Sequence, residues 1–223
     1  MLRAMVFIDY ENFNINTMNY YKRLALEKAK EEARQMGKPE PTSAPYRTPS
    51  LDYNLLPQAV VNLLPTPHVL TKTILFAPEP DEFLRKDPRR ESANKWLSSL
   101  QNLNYLTVIK GSHIARPAPG YTHDTMDIKD SKTYTVEEKG TDVNLAVHAI
   151  SKGYHNAYDT AIIMSGDTDY IPVMDTLCSM GKNVAVVGIE GQTLTKFKIH
   201  SDIQIILNDA FFQKCLRKKG GGD

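Results

Sequence analysis

The sequence has little cysteine, and this shortage excludes a disulfide-built protein. The chain of 223 residues contains two cysteines, Cys178 and Cys215, whose separation matches no metal-binding or redox spacing. A disulfide framework is therefore excluded, and the composition is typical of a reducing compartment. Cys178 lies between Leu177 and Met180 on a predicted helix, and we predict that its thiol is buried.

Long apolar runs are also missing. No run in the sequence reaches the length that a membrane span requires. The first apolar run, Ala4 to Ile8, is short and is interrupted by Asp9, so it does not have the pattern of a secretory signal peptide. We therefore expect a cytoplasmic protein with no membrane partner.

The chain carries almost no net charge. Lys and Arg total 27 against 26 for Asp and Glu, which leaves a net charge of +1. Because no global positive field is available, any binding of nucleic acid must use local patches. The densest basic cluster in the body of the chain consists of Arg85, Lys86, Arg89 and Arg90. A solvated helix face and a phosphate-contacting patch are both compatible with this cluster.

Apolar runs alternate with helical patterns along the chain. We predict strands at 4–8, 69–77, 105–109, 160–164 and 183–187, and an edge strand at 203–207. Helices are predicted at 18–36, 51–64, 143–154 and 173–180, and a further helix between 83 and 100 is expected to break or start late at Pro88. The predicted buried face of the 143–154 helix consists of Val143, Ala146, Val147, Ile150 and Tyr154. The alternation predicts an α/β fold with a mainly parallel sheet and helices on both faces.

Two segments interrupt this alternation. Residues 37–50 are rich in proline, and residues 111–138 contain His113, His123, Asp124 and Asp127 in a spacing that matches no zinc site. We predict a single domain over 1–212 with insertions at about 37–50 and 111–138, the second being mostly a long surface loop over 111–132 with a short strand at 133–136. Residues 213–223 are expected to form a flexible basic tail.

Four acidic residues are predicted to share one edge of the sheet. Asp9 ends the first strand, and Asp167 and Asp169 follow the buried strand 160–164. Asp142 falls in the first turn of a helix that Thr141 is expected to cap. Each acid alone could serve as a cap or a turn residue, but the carboxyl ends of parallel strands meet at one edge. Crowded carboxylates repel one another unless a cation lies between them, so we predict a Mg²⁺ or Mn²⁺ site.

Three segments of the sequence resemble the signature segments of NYN domains, which are PIN-like ribonucleases, with the LabA-like branch as the nearest pattern. These segments are 8–13 (IDYENF), 139–143 (KGTDV) and 165–170 (SGDTDY), and they occur in the order that the family shows. The resemblance implies a Rossmann-like three-layer α/β/α fold and metal-dependent cleavage of RNA. It also implies that Asp9, Asp142 and Asp167 bind the metal, and that Asp169 and Asn12 complete the catalytic set. Glu11 is a candidate for the additional acid of many PIN-like enzymes.

The resulting hypothesis is a metal-dependent ribonuclease, with endonucleolytic cleavage favoured, that uses Mg²⁺ or Mn²⁺. Substrate contacts are expected from Lys139, Ser165 and the basic cluster, although Lys139 is more readily explained by a pair with a nearby Asp. The expected partners are single-stranded or structured RNA and a second copy of the chain in a homodimer. A non-catalytic RNA-binding or scaffold protein of the same fold stays open as an alternative. A phosphatase or phosphotransfer domain is a weaker one, because Glu11 follows Asp9 at the right spacing but later partners are missing.

Overall fold

The computed structural model describes residues 1–217, and this range contains one seven-stranded sheet and six α-helices. The strands are β1 Leu2–Asp9, β2 His68–Pro80, β3 Leu106–Pro117, β4 Tyr134–Lys139, β5 Thr160–Met164, β6 Asn183–Ile189 and β7 Ile203–Leu207. The helices are α1 Tyr10–Gln35, α2 Leu56–Val61, α3 Pro88–Ser99, α4 Thr141–Tyr154, α5 Ile171–Ser179 and α6 Asp209–Lys214. No helix in residues 1–217 has both the length and the apolar character needed to cross a bilayer.

The strands lie in the order β4-β3-β2-β1-β5-β6-β7. Neighbouring strands are parallel except for β3 and β4, which pair antiparallel. This arrangement confirms a mixed α/β fold with a mostly parallel sheet and confirms β7 as an edge strand. The strand order is mixed, however, and does not by itself define a Rossmann-like three-layer fold.

The central strand β1 separates two apolar cores. Its residues Ala4, Val6 and Ile8 belong to the core formed with α1, α2, α3 and α6, whereas Met5 and Phe7 belong to the core formed with α4 and α5. Alternate side chains of a strand point to opposite faces of the sheet, so β1 contributes to both cores. This position fixes the end of β1, where Asp9 lies, within a closely packed environment.

Helix α1 begins earlier than predicted. We expected a turn at 9–14 and a helix from Met18, but α1 starts at Tyr10 because the Asp9 side chain caps it and accepts a hydrogen bond of 3.2 Å from the backbone N–H of Asn12. The Asn-rich segment is therefore the first helical turn. The predicted stop at Gly37 is confirmed, since this residue has a φ of 64°, which glycine adopts without strain.

The second insertion contains more strand than predicted. Strand β3 continues to Pro117, and its end pairs with β4 in the register Ser112 with Lys139 through Pro117 with Tyr134. The connecting loop is therefore 118–133 rather than 111–132. The predicted helix at 51–64 is also shorter, with α2 limited to Leu56–Val61. Residues 38–50 form neither helix nor strand, and α3 starts late at Pro88, both as predicted.

The predicted buried face of α4 is correct only in part, because Ala146 and Ile150 are half-buried against the core but the other three residues are exposed. Val143, Val147 and Tyr154 are 64%, 57% and 77% exposed, whereas Leu145 and Ala149 are fully buried. Residues four apart lie on one helix face, so both patterns satisfy helical periodicity. Packing against the sheet, and not the count of apolar residues, selects the face that contains Leu145.

Two further predictions near the chain's end are corrected. Cys178 is exposed, because α5 buries Val173, Met174 and Leu177 and the next position turns away by about 100°. The predicted tail starts too early: α6 extends to Lys214, Cys215 is buried, and the Arg217 backbone N–H donates a hydrogen bond of 2.8 Å to the Ser50 carbonyl. The rest of the predicted tail, 218–223, lies outside the described residues.

The corrected face of α4 is testable by a pair of substitutions. Leu145→Ala removes a fully buried side chain and should lower the free energy of unfolding by about 2–5 kcal/mol. Val147→Ala changes an exposed residue of the same helix and should stay within about 0.5 kcal/mol of the parent. Urea unfolding monitored by circular dichroism measures both values, and equal losses would contradict the assigned face.

Candidate functional site

Asp9 is the buried centre of the acidic edge. It lies at the carboxyl end of β1 and is 5% exposed. Its Oδ2 accepts a hydrogen bond of 2.9 Å from the Ser165 hydroxyl, and its Oδ1 accepts the capping bond from the Asn12 backbone N–H. Burial raises the pKa of Asp9, and the carboxylate of Asp142 raises it further, although the Ser165 and Asn12 hydrogen bonds oppose this shift. Asp9 is thus an acid whose charge needs compensation.

The loop after β5 is tied to α1 by Asn12. The Asn12 Oδ1 accepts hydrogen bonds from the Gly166 backbone N–H at 3.0 Å and from Asn16 Nδ2 at 2.9 Å. The Ser165 hydroxyl, which donates to Asp9, accepts a bond of 3.1 Å from the Asp167 backbone N–H. Ser165 is itself buried. Both Ser165 and Asn12 therefore position the acids in this structure, whereas we had expected Ser165 to contact substrate.

The Tyr170 hydroxyl joins two acids from different elements. It lies 2.5 Å from Asp142 Oδ1 and 3.4 Å from Asp9 Oδ2. A phenol has one proton, so the short contact identifies Asp142 as its main acceptor. Burial and the two carboxylates raise the pKa of Tyr170 far above its ordinary value, which keeps the hydroxyl a donor. No role was predicted for Tyr170, although it ends the segment 165–170 and directly follows Asp169, which was the available signal.

Asp142 reaches this edge from the first turn of α4. The residue that caps α4 is Gly140, with a φ of 84°, and not Thr141 as predicted. Thr141 is instead the first helical residue and is 1% exposed. Its hydroxyl is packed where a side chain at Gly111 would lie, so it is not available to cap the helix. The shift leaves Asp142 in the first turn, as predicted, and Asp142 is exposed.

Asp167 and Asp169 occupy a 3₁₀ turn after β5. The Asp167 side chain caps this turn by accepting a hydrogen bond of 3.0 Å from the Asp169 backbone N–H. Asp169 is exposed. Within residues 1–217, no Lys, Arg or His nitrogen lies within 4.0 Å of the carboxylates of the four edge acids, which are Asp9, Asp142, Asp167 and Asp169. Oxygen donors without a cationic partner fit Mg²⁺ or Mn²⁺.

A cluster of three ionisable side chains, which was not predicted from the sequence, lies at the same end of the sheet. The ligand atoms of Glu11, His113 and Glu138 all lie within 4.8 Å of one another, which makes them the one such trio among residues 1–217. Asp9, Asp142 and Asp167 are spread more widely. The signal was hidden because these residues come from α1, β3 and β4, and only the antiparallel pairing of β3 with β4 places His113 opposite Glu138.

The predicted substrate-binding cations have different environments. Arg85 Nη2 forms an ion pair of 2.7 Å with Glu79, and Lys86 Nζ lies 5.4 Å from the centre of the Phe83 ring. Arg89 is exposed. Arg90 lines a cavity of about 200 Å³ with residues that include Tyr10, Glu11, Asn94 and His113. Arg90 Nε also lies 3.9 Å from Asp87 Oδ2. The basic cluster is thus split, and Arg90 is the member beside Glu11 and His113.

Lys139 has a different partner from the one expected. Its Nζ lies 3.1 Å from Glu137 Oε1, so the pair is with a glutamate and not with a nearby Asp. Lys139 and Glu137 are both exposed, and Glu137 also pairs with Arg116 at 3.0 Å. An exposed pair of this kind contributes little to stability, so Lys139 can exchange its partner at small cost.

Comparisons with known proteins agree with this architecture. The family model described as NYN domain matches residues 3–208, and the chain therefore belongs to the NYN domain family, whose members are generally nuclease-like with a PIN-like fold. The comparison with curated proteins gave no match. A solved structure, the crystal structure of a protein of unknown function from Vibrio parahaemolyticus, has a TM-score of 0.50 and 15% sequence identity. The match covers 97% of this chain and 96% of the Vibrio chain. At this level of identity the likeness concerns the fold alone.

The buried charge of Asp9 predicts how stability depends on pH. Burial raises the pKa of Asp9 above 3.8, so the folded state binds more protons than the unfolded chain as the pH rises through this value. The free energy of unfolding therefore falls as the pH rises, because the buried Asp9 side chain must ionise. In EDTA at pH 7, Asp9→Asn should therefore unfold at a higher temperature than the parent, with about 2–4 °C for each kcal/mol. The difference should shrink as the pH falls below 4. Calorimetry measures it, with Asp124→Asn in the exposed 118–133 loop as the control, and a lower melting temperature for Asp9→Asn would contradict the assignment.

Proposed function

We propose that this protein is a metal-dependent ribonuclease that hydrolyses RNA phosphodiester bonds. The observation that carries the proposal is the convergence of Asp9 and Asp142 on the Tyr170 hydroxyl, at an edge where the acids have no cationic partner among residues 1–217. Membership of the NYN domain family supports nuclease chemistry. In this proposal Asp9, Asp142 and Asp167 hold Mg²⁺ or Mn²⁺, and Asp169 completes the acidic set.

The arrangement of the two cores supports a finer interpretation of the fold. Helices pack on both sides of β1, and β1 lies between β2 and β5 near the middle of the sheet. We interpret this as a Rossmann-like three-layer α/β/α arrangement of the PIN type. In such sheets, ligands bind where the chain leaves neighbouring strands in opposite directions, and here β1 and β5 deliver Asp9 and Asp167 at that point.

The roles of the protein's own residues follow from their contacts. A bound divalent ion would activate a water molecule and neutralise charge on the scissile phosphate. Ser165 and Asn12 hold the two oxygens of Asp9 in fixed directions, and Tyr170 holds Asp142 at a set distance from Asp9. Asn12 therefore acts in this mechanism as a positioning residue.

RNA binding would depend on local cations, because the net charge is +1 and the edge acids repel phosphate. Arg90 is the best placed cation, since it lines the cavity that Glu11 and His113 also line. Arg89 is exposed on the same helix, whereas Arg85 is neutralised by Glu79. Lys139 would contribute only if a phosphate displaced Glu137. The expected homodimer stays a prediction.

One observation favours a non-catalytic RNA-binding protein as the second candidate. The carboxylates of Asp9, Asp142 and Asp167 are more widely spread than the Glu11, His113 and Glu138 group, and the Tyr170 hydroxyl lies between two of them. The phosphotransfer alternative is disfavoured, because Glu11 lies against His113, with 3.3 Å between Oε2 and Nε2, instead of beside Asp9. Measured turnover decides between the first two functions.

Replacing Asp167 tests the proposed chemistry. Asp167→Asn keeps an acceptor for the Asp169 backbone N–H, so the turn should survive, but it removes a ligand charge. Cleavage of a mixed-sequence RNA in Mn²⁺ should fall by about 100-fold or more, and EDTA should abolish cleavage by the parent. Asp124→Asn is the control and should cleave at the parent rate. If folded Asp167→Asn cleaves RNA at the parent rate, Asp167 is not a metal ligand. If the parent binds RNA but does not cleave it, the non-catalytic RNA-binding function is favoured.

Removing single arginines tests the binding surface. Each phosphate contact releases counterions, so Arg90→Ala should weaken RNA binding across sequences and lower the slope of log affinity against log salt by about one unit. Arg85→Ala is the matched control, because Arg85 is held by Glu79 at 2.7 Å, whereas Arg90 is 3.9 Å from Asp87, so the loss of Arg85 should change the slope much less. The double variant Arg89→Ala, Arg90→Ala should lose about two units. Fluorescence anisotropy at several salt concentrations measures the slopes. An unchanged slope in the double variant would show that the basic cluster contacts only solvent and not RNA.

A further inference from the structure

The group of Glu11, His113 and Glu138, called here the Glu–His–Glu group, is built by three separate elements. His113 and Glu138 are direct partners in the antiparallel ladder between β3 and β4. Glu11 joins them from the first turn of α1, two residues after Asp9. The group is thus fixed by sheet register and by the start of a helix that Asp9 caps, and it is not a chance meeting of long side chains on an open surface.

The spacing within the group is that of metal ligands. The His113 Nε2 and Glu11 Oε2 atoms are 3.3 Å apart, which is a long hydrogen bond and also a distance that two ligands of one ion can have. Two ligand atoms about 2.1 Å from an ion, at a tetrahedral angle, are about 3.4 Å apart. All three ligand atoms lie within 4.8 Å of one another, so small movements of the two glutamate side chains would close the set around one ion.

The charge on Glu138 is not compensated. The adjacent acid on β4, Glu137, pairs with Arg116 at 3.0 Å and with Lys139 at 3.1 Å. Glu138 has no such partner within residues 1–217, and its nearest charged neighbours include the acids Glu11 and Asp142. Burial and the Glu11 carboxylate raise the pKa of Glu138 to about 7.

A buried hydroxyl provides an independent sign that something is missing from the group. Thr141 is 1% exposed, and its Oγ1 has no hydrogen-bond partner within residues 1–217. The Thr141 hydroxyl is next to the Glu138 carboxylate. An unpaired buried hydroxyl costs about 1–3 kcal/mol, and one directed at a carboxylate can orient that carboxylate when it binds an ion.

We propose that the Glu–His–Glu group is a second divalent-cation site, separate from the acids Asp9, Asp142 and Asp167, that binds a transition-metal ion in preference to Mg²⁺. Imidazole nitrogen is a good ligand for transition metals but a poor one for Mg²⁺, whereas the four edge acids offer only oxygen. An ion held here would lie at the wall of the cavity that Glu11, His113 and Arg90 line. It would add positive charge beside Arg90, at an edge otherwise dominated by carboxylates. The site does not depend on the proposed nuclease activity.

Electron paramagnetic resonance with Mn²⁺ tests the site directly. The full-length, metal-free protein is titrated with Mn²⁺ at pH 7.5 in the presence of millimolar Mg²⁺, which competes for the all-oxygen acids. We expect one Mn²⁺ to be retained, with a pulsed spectrum that shows coupling to a histidine nitrogen. Glu138→Gln and His113→Asn should weaken this binding about tenfold or more, and His113→Asn should remove the nitrogen coupling.

Two controls and a second test variant make the result unambiguous. Glu137→Gln changes the neighbouring, already paired acid and should bind Mn²⁺ as the parent does. Asp167→Asn should also retain this ion, so failure of the nuclease proposal and failure of the second site give different results. Glu138 is exposed on an edge strand, so Glu138→Gln remains informative even if His113→Asn does not fold. Parent-like affinity in folded Glu138→Gln, or no nitrogen coupling in the parent, would overturn the proposal.

Discussion

The burial of the Asp9 carboxylate at the end of the central strand is the constraint on which the rest of the site depends. A carboxylate 5% exposed must receive hydrogen bonds, and Asp9 receives them from α1 through the Asn12 N–H and from the loop after β5 through Ser165. The Tyr170 hydroxyl extends this network to Asp142 on α4. One side chain thus fixes where α1 begins, how the loop after β5 turns, and where the first turn of α4 lies.

The pairing of charges at this end of the sheet is a second feature of the site. Cations near this end of the sheet are directed to other acids: Arg85 and Lys110 pair with Glu79, and Lys139 pairs with Glu137. The edge acids and Glu138 are left without such partners in residues 1–217, which favours divalent ions as their counter-charges. The two sets differ in donor chemistry, since one offers oxygen alone and the other includes His113. This difference is why we assign them to different ions.

The sequence was sufficient for the features that depend on local pattern. The runs 160–164 and 203–207 match β5 and β7 in both bounds, and the placement of Asp9, Asp142 and Asp167 at one edge needed only strand polarity and a helix start. It was insufficient wherever a partner decides the outcome. Asp9 could be a turn residue or a helix cap until Asn12 was placed, and α4 carries two apolar faces that only packing distinguishes. The Glu–His–Glu group depends on the β3–β4 register, which no spacing along the chain encodes.

The central claim is that the acidic edge holds a divalent ion, and anomalous X-ray diffraction from a crystal soaked in Mn²⁺ tests it most directly. The account predicts a manganese peak bounded by carboxylate oxygens of Asp9, Asp142 and Asp167, with a separate peak beside His113. The first peak should disappear in crystals of Asp167→Asn while the second remains. Anomalous density elsewhere on the protein, with none among Asp9, Asp142 and Asp167, would contradict the claim.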